Sequence, residues 1–518
     1  MPITTMTAAV AAATLAIVAQ DQAPLRAAAK DSSAQQAVLW QGDTLEIRGS
    51  KGDFLQVYDH RRERAGYIRA SQVRPQTLKP ESAPELLAVV RFLRDTVGSE
   101  SLGIAYAAAF LKAAPAAAID DEVFDALGAM SERLARRAAA NRGGNKATET
   151  LAAHLDVAQT YGVNITSFET EGQMQLCYDG EAYRTVLALA GKAVRMAEAT
   201  LALTRHDCLP PTLGPVERYQ TDTWRAELLD RVPMTDLPAT LKNRLHMRKA
   251  GVWASLAHQR ARRPNEAAPV SGQASNVKQA DTVSAEKVLH QNSDWAAVQQ
   301  AGKRAVEELA AVDKNELMES DLAAYQEAAV RVGASRWATH AGLPAPLPSG
   351  KLSVVTSAGQ AGETCVHLVD GQHDAAKPLL TRCTYGVVWP ASAAVNSQGT
   401  ILTLAVQPLD TWREMWVFQR DAADPSAGSG KHGWQVVVVP PAEANPGQGY
   451  IEFSGWVPGQ AQVLTTREAK VEGRFATQFE LRRLDTLAVE KHADKPANLS
   501  AFYRWQSPTW KSMTISLR

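Results

Sequence analysis

Three patterns of apolar spacing follow one another along the chain. Between Ala37 and Pro75 apolar positions alternate with polar ones: Leu45 and Ile47 in one run, Leu55 and Val57 in the next, and Gly66-Tyr67-Ile68 opening a third. Gly49-Ser50-Lys51-Gly52-Asp53 and the charged run His60 to Arg64 separate them. Short period-two runs this closely punctuated predict a small β-meander. From Pro84 to about Ala341 the spacing becomes helical and alanine is abundant, which favours helix. Asp120-Asp121-Glu122 open one helix and Arg133, Arg136 and Arg137 close it, complementing the helix dipole at both ends. Further helices are predicted over Lys146 to Tyr161, Thr221 to Arg231, Pro238 to Arg263, Ala285 to Val312 and Asn315 to His340.

Beyond Gly350 strand follows strand. The clearest are Leu352 to Thr356, Thr364 to Val369, Gly386 to Trp389, Thr400 to Val406, Met415 to Arg420, Gln435 to Val439, Gln462 to Thr466, Ala476 to Arg482 and Met513 to Leu517. The expected fold is multidomain α+β: a small N-terminal β-barrel (37–75), an all-α middle of helical hairpins (84–263 and 285–341), and a C-terminal all-β domain (350–518). Residues 264–284 are small and polar without periodicity, and read as a flexible linker.

The N-terminus and the cysteines change the picture by suggesting a compartment. Ala8 to Ala19 is an apolar run, too short to span a bilayer, that ends in small residues. It reads as an export signal over residues 1–19 with cleavage after Ala19, although Met1 to Thr7 carries no Lys or Arg. No later stretch is apolar enough to cross a membrane. The four cysteines fall as two close pairs, Cys177 with Cys208 and Cys365 with Cys383, and none forms a CxxC. An even count suits a disulfide framework in an oxidising compartment, here the periplasm. A single straight helix from Cys177 to Cys208 would hold its ends about 45 Å apart, whereas a disulfide needs Cα atoms within about 7 Å. Either the pair is unbonded or the helix folds back. Ala190-Gly191-Lys192 marks the turn of an αα-hairpin stapled at its open end, and Pro210-Pro211 stops its second helix.

With these elements placed, two resemblances emerge. Gly42-Asp43-x-Leu45-x-Ile47, Gly52-Asp53-Phe54-Leu55-x-Val57, Gly66-Tyr67-Ile68 and Ser71-Gln72-Val73 resemble the bacterial Src-homology-3-like domain, over less than a tenth of the chain. That family opens on a strand with a Leu-Asn-Val-Arg-like motif, which is not found upstream of Trp40; the barrel is then truncated or closed by another part of the chain. The resemblance implies binding, to cell-wall peptides or protein partners. Trp40, Tyr58 and Tyr67 are the aromatics that would line a groove, with Phe54 assigned to the core. Arg61 and Arg62, in the basic run His60 to Arg64, are the cations that would grip an anionic wall polymer, if the run is not simply a solvated loop tip. In the C-terminal part, Phe453-Ser454-Gly455-Trp456-Val457-Pro458-Gly459-Gln460, Val388-Trp389-Pro390 and Arg504-Trp505-Gln506-Ser507-Pro508 resemble blades of periplasmic β-propellers. A partial or small propeller and a β-sandwich both stay open. The whole chain resembles no characterised family.

Charge and motifs mostly exclude. Lys+Arg equals Asp+Glu, 55 each, so nothing global steers the chain toward nucleic acid. Gly430-Lys431 fails as a phosphate loop, because Pro425 stands where its first glycine must be and His432 where Ser or Thr must be. Ser284-Ala285-Glu286-Lys287 matches SxxK without companion motifs. His367, His373 and Asp374 follow no recognised ligand spacing. No catalytic residue, metal site or cofactor is therefore assigned. The helix Pro238 to Arg263 carries Leu241, Leu245, Val252 and Leu256 on a stripe and Lys242, Arg244, Arg248, Lys249, Arg260, Arg262 and Arg263 without an acid. It suits a bundle helix whose cations pair with acids elsewhere, or peripheral contact with an anionic membrane. The leading expectation is a non-enzymatic periplasmic or envelope binding and scaffold protein, its partner a cell-wall component or an envelope protein. The alternatives are a cell-wall-modifying enzyme targeted by the barrel and a membrane-surface adaptor.

Overall fold

The alternating runs between Ala37 and Pro75 form only part of their sheet. The computed structural model describes residues 14–141, 143–170, 172–266, 282–346, 351–420, 433–443 and 447–515. Seven N-terminal strands, β1 (Leu15–Val18), β2 (Ala23–Arg26), β3 (Gln35–Leu39), β4 (Thr44–Lys51), β5 (Phe54–Asp59), β6 (Arg64–Arg69) and β7 (Val73–Gln76), lie in the order β3-β2-β6-β5-β4-β1-β7. Ala16, Val18, Leu25, Leu39, Leu45, Val57 and Ile68 are fully buried in its core.

Two expectations are corrected here. β1 pairs with both β4 and β7. A cut after Ala19 would remove a buried strand with two hydrogen-bonded neighbours, so the expected cleavage site falls inside the fold. The rest of the expected signal, residues 1–13, lies outside the described residues. The stretch upstream of Trp40 supplies three strands, so the sheet is not truncated. Nor is it the closed barrel expected, because β3 and β7 form its two edges.

The chain divides into two units, residues 1–213 with 232–237, and residues 214–231 with 238–518. In the first, the sheet is followed by α1 (Ala83–Arg94), α2 (Glu100–Ala113), α3 (Asp121–Ala140), α4 (Asn145–Gln159), the hairpin β8 (Ile165–Thr170) and β9 (Gln173–Tyr178), α5 (Glu181–Ala188) and α6 (Ala193–Leu203). Asp120 caps α3 by accepting from the Glu122 backbone N–H. Arg133, on α3, donates to the fully buried Glu100 of α2 at 2.8 Å. A Cβ at Gly103 would lie 2.2 Å from Met130 Sδ, so glycine sets how closely α2 and α3 pack. Cys177 and Cys208 are bonded, with Cα atoms 5.7 Å apart. The chain reverses between α5 and α6 at the expected turn. Cys177 sits on β9, however, so the staple joins a strand to the loop after α6, and the middle is not all-α.

The second unit takes the remaining helices together with the C-terminal strands. α7 (Pro215–Asp230), α8 (Ala239–Glu266), α9 (Thr282–Ala310) and α10 (Leu322–Ser335) precede two sheets. Three strands, β10 (Ser353–Ala358), β11 (Thr364–Val369) and β12 (Leu380–Thr384), form one. The other holds β13 (Val387–Val395), β14 (Ile401–Leu409), β15 (Trp412–Arg420), β16 (Trp434–Val439), β17 (Gly449–Trp456), β18 (Gln462–Val471), β19 (Arg474–Arg483) and β20 (Val489–Ala493). One apolar cluster joins Val354, Val366 and Leu368 of the small sheet to Leu402, Leu404, Trp416 and Phe418 of the large one. Another seats Ala257, Val298 and Ala301 of the helices against Val387, Trp389 and Ala405. β13 and β14 are thus covered on both faces.

The helical stretch 84–263 is therefore not one domain. No propeller is found among the described residues: Arg504 and Trp505 of the expected third blade end α11 (Ser500–Trp505), and Pro508 of that blade and Met513 to Ile515 of the expected last strand lie in α12 (Pro508–Ile515). Most of the expected linker, and Gly430-Lys431, lie outside the described residues.

Candidate functional site

The aromatic residues of the N-terminal sheet collect on the face opposite Val57, because side chains alternate along each strand. Register pairs Glu46 with Tyr58 and Gln56 with Tyr67, which puts both tyrosines on that face, diagonal neighbours on β5 and β6. Both are half-buried. The Arg48 guanidinium lies 4.0 Å from the centre of the Tyr58 ring, and His60 meets the same ring edge-on at 4.9 Å. Arg69 covers Phe54 at 5.1 Å, which leaves Phe54 only 7% exposed. The face is a ladder of rings and guanidinium groups across β4, β5 and β6. Carboxylates balance its charge: Glu46 accepts from Arg48 at 3.3 Å and bonds His60 at 2.7 Å, and Asp31 accepts from Arg69 Nε at 2.9 Å. The hydrogen bond from Arg48 and then that from His60 hold Glu46 below the usual carboxylate range.

Of the five residues expected to bind, Tyr58 and Tyr67 are brought together and three are not. Trp40 is 8% exposed, and its backbone N–H donates to Asp43. Arg62 bridges Asp59 at 2.7 Å and Asp43 at 3.1 Å, two carboxylates that are themselves buried. Arg61 pairs with Asp43 at 3.5 Å and with Asp156 of α4. These arginines compensate buried acids.

Sequence reasoning missed two buried charge clusters in the second unit. Asp410, in the β14–β15 turn, accepts from Arg331 at 3.2 Å, Arg218 at 3.3 Å and Ser255 at 2.7 Å. Arg218 and Gln259 also bond the fully buried Asp222, which pairs with Arg225. Burial opposes ionisation of Asp410, but the fields of Arg331 and Arg218 outweigh it and hold the carboxyl well below its usual range. Burial pushes His258, bonded to the Gln407 carbonyl, down to about 4.

The second cluster centres on Glu452, 2% exposed. It accepts from Arg413 at 2.7 Å, Arg336 at 2.9 Å and the Trp510 indole at 2.6 Å. Burial lowers the Arg413 guanidinium to about 10. Beside it lies a cavity of about 100 Å³ lined in part by Trp337, Ser392, Thr403, Met415, Phe453 and Trp510. Every carboxylate in these clusters is locked between cations, and His258 is buried and neutral at ordinary pH. None is placed to pass a proton to a substrate. Arg218, Asp222 and Arg225 are neighbours on α7, but Asp410 and Glu452 meet their cations from elements far apart in the chain, and no pattern in sequence marks those pairs.

The basic helix α8 buries its apolar stripe, and acids elsewhere take two of its cations: Arg244 pairs with Asp321 at 3.0 Å and Lys249 with Asp230 at 3.6 Å. His367 bonds Ser357 and Thr381, while His373 pairs with Asp370. Among the described residues Glu363, Cys365 and Cys383 cluster at metal-ligand distances. Their sulfurs are bonded to each other and have no thiolate to offer a metal. Among the described residues no helix is long and apolar enough to cross a membrane. Compared with protein-family models, curated proteins and solved structures, the chain matches none.

Proposed function

We propose that the chain is an exported binding protein of a bacterial cell envelope, which recognises a wall component or an envelope protein through the aromatic face of its N-terminal sheet. One observation carries the reading: Tyr58 and Tyr67 lie half-buried on one rigid sheet face, with guanidinium groups stacked on Tyr58 itself and on the neighbouring Phe54. Rings fixed by a sheet and edged with cations offer an apolar platform with polar handles, which suits sugar rings or peptide side chains. Recognition on such a face involves no covalent step. Both cysteine pairs being bonded supports export, because an oxidising compartment lets disulfides persist.

The test is co-sedimentation of the full chain with purified peptidoglycan, with cross-linking to envelope proteins in parallel. Retention by one bait, reduced at least about tenfold in a Tyr58→Ala/Tyr67→Ala variant, is the expected result. Failure of both baits, or retention indifferent to the two tyrosines, defeats the reading.

A further inference from the structure

The two disulfides stand in different surroundings. Cys177 is 2% exposed and Cys208 half-buried, and their bridge anchors the loop after α6. Cys365 and Cys383 are directly opposed across the antiparallel pair β11–β12. Cys365 is 8% exposed, but β12 is an edge strand of the small sheet and Cys383 on it is exposed. The bridge lies on the face that also carries Ser357, His367 and Thr381, opposite the face where Val366 and Leu368 enter the core. The pairs Thr364–Thr384 and Val366–Arg382 flank it in the ladder, so the strands stay registered without the sulfur bond.

A carboxylate guards the bridge. A carboxylate oxygen of Glu363 lies within 4.8 Å of both sulfurs. The turn before it is fixed: Glu363 accepts from the Gln360 backbone N–H at 3.1 Å. A Cβ at Gly359 would come within 2.6 Å of Glu363 Oε2 and 2.9 Å of Cys365 Sγ, so only glycine lets the backbone close over this pair.

We infer that Cys365–Cys383 is a thiol–disulfide exchange site, selective for neutral or cationic dithiols, and that Cys177–Cys208 is the structural bridge. An incoming thiolate attacks the exposed Cys383 Sγ and forms a mixed disulfide. The Cys365–Cys383 bond breaks, and its electron pair leaves on Cys365 Sγ, which takes a proton from water. The second sulfur of the dithiol then displaces Cys383. The dithiol ends oxidised to its own disulfide and both cysteines end as thiols. Glu363 acts as a brake: its charge raises the pKa of the departing Cys365 thiolate, which slows leaving, and repels anionic attackers. An exposed bridge is the kind that exchanges, and a buried one resists.

The test is timed reduction of the folded full chain by dithiothreitol and by the anionic thiol glutathione. Acid quench, alkylation and peptide mapping then count free thiols. Cys365 and Cys383 are expected to label at least about tenfold faster than Cys177 and Cys208. Glu363→Gln is expected to speed the reaction severalfold, and more for glutathione than for dithiothreitol. Far-ultraviolet circular dichroism is expected to be unchanged when only this bridge is open. Equal labelling of the two bridges, or unfolding on opening of Cys365–Cys383, overturns the exchange site. Equal rates for Glu363→Gln and the wild type with both reagents overturn the brake. None of these outcomes depends on the ligand face.

Discussion

The N-terminal sheet and the second unit use arginine in opposite ways. On the sheet, Arg48 and Arg69 lie flat on aromatic rings at the surface, balanced by acids that are themselves partly or fully exposed. In the second unit, Arg413 and Arg225 are 0% and 1% exposed and are held by Glu452 and Asp222, which are just as deeply buried. A guanidinium over an exposed ring gains about 0.5–1 kcal/mol and stays available to a ligand. A sealed pair is different: its net contribution is small, but losing one member strands the other charge away from water. Charge at the surface can therefore serve recognition. Charge in the core fixes how helices and strands meet, as Asp410 does for α7, α8 and α10.

Glu452→Ala puts the most strain on this contrast. It leaves Arg413 and Arg336 facing each other without their shared carboxylate, and removes the carboxylate to which the Trp510 indole N–H donates. The expected loss is about 3–5 kcal/mol, read as a lower urea midpoint for the second unit. A cost under about 1 kcal/mol would mean that the cluster is hydrated, and the contrast with the surface would collapse.

Acid titration reads the same cluster chemistry without mutation. His258 has a folded value of about 4, below the about 6.5 of a free imidazole. The unfolded chain therefore takes up this proton first as pH falls. The stability is fully present above about pH 6.5, is lost on the way down to about 4, and is level below that, about 3 kcal/mol in all. Asp410 also has a depressed folded value, so its contribution is present above the free carboxyl range, near 4, and is lost only below it. His258→Gln should flatten the stability profile between pH 6.5 and 4 and leave the steeper loss at lower pH. An unchanged slope in that window would show that the imidazole is charged inside the fold.

How much of this was legible in sequence depends on the range of the interaction concerned. Local signals were sound: the helix start at Asp120-Asp121-Glu122, the turn near Gly191, the alternation of Leu45 with Ile47, and the apolar stripe Leu241, Leu245, Val252 and Leu256. The cysteine pairing followed from proximity along the chain. Leu15–Val18 was misread because a short buried strand and the end of an export signal are both simply apolar. Met513 to Leu517 was read as a strand, but Met513 to Ile515 continue α12, whose Trp510 packs with Phe502 of α11 against Phe479. Glu452, Asp410 and Asp43, the buried acid that Arg61 and Arg62 share, were invisible. Burial of a charge depends on partners contributed from elsewhere in the fold, and no local pattern encodes those partners.

Arg62 marks the border between the two uses of arginine. It was expected to touch a ligand, yet it spans Asp59 and Asp43, which are 1% and 4% exposed. Arg62→Ala should cost the N-terminal sheet about 1–3 kcal/mol, the penalty for a buried group left short of a partner. It should leave retention by the preferred bait unchanged. A loss of retention with no change in the urea midpoint would return Arg62 to the binding face.

Tyr58→Ala should show the smallest stability effect. The ring is half-buried, so the expected cost is about 1 kcal/mol, from lost contact with Arg48 and His60. Its consequence for retention should be as large as that for stability is small, because a platform ring lends its area to the ligand rather than to the fold. Tyr58→Phe separates the two parts of that claim. It keeps the face and removes only the hydroxyl, so it should bind nearly as well as the wild type if stacking carries recognition. Tyr58→Leu keeps bulk without a π-face and should bind as poorly as Tyr58→Ala. If Tyr58→Leu binds well, the ring is a spacer, and the surface arginines lose the role that set them apart from the buried ones.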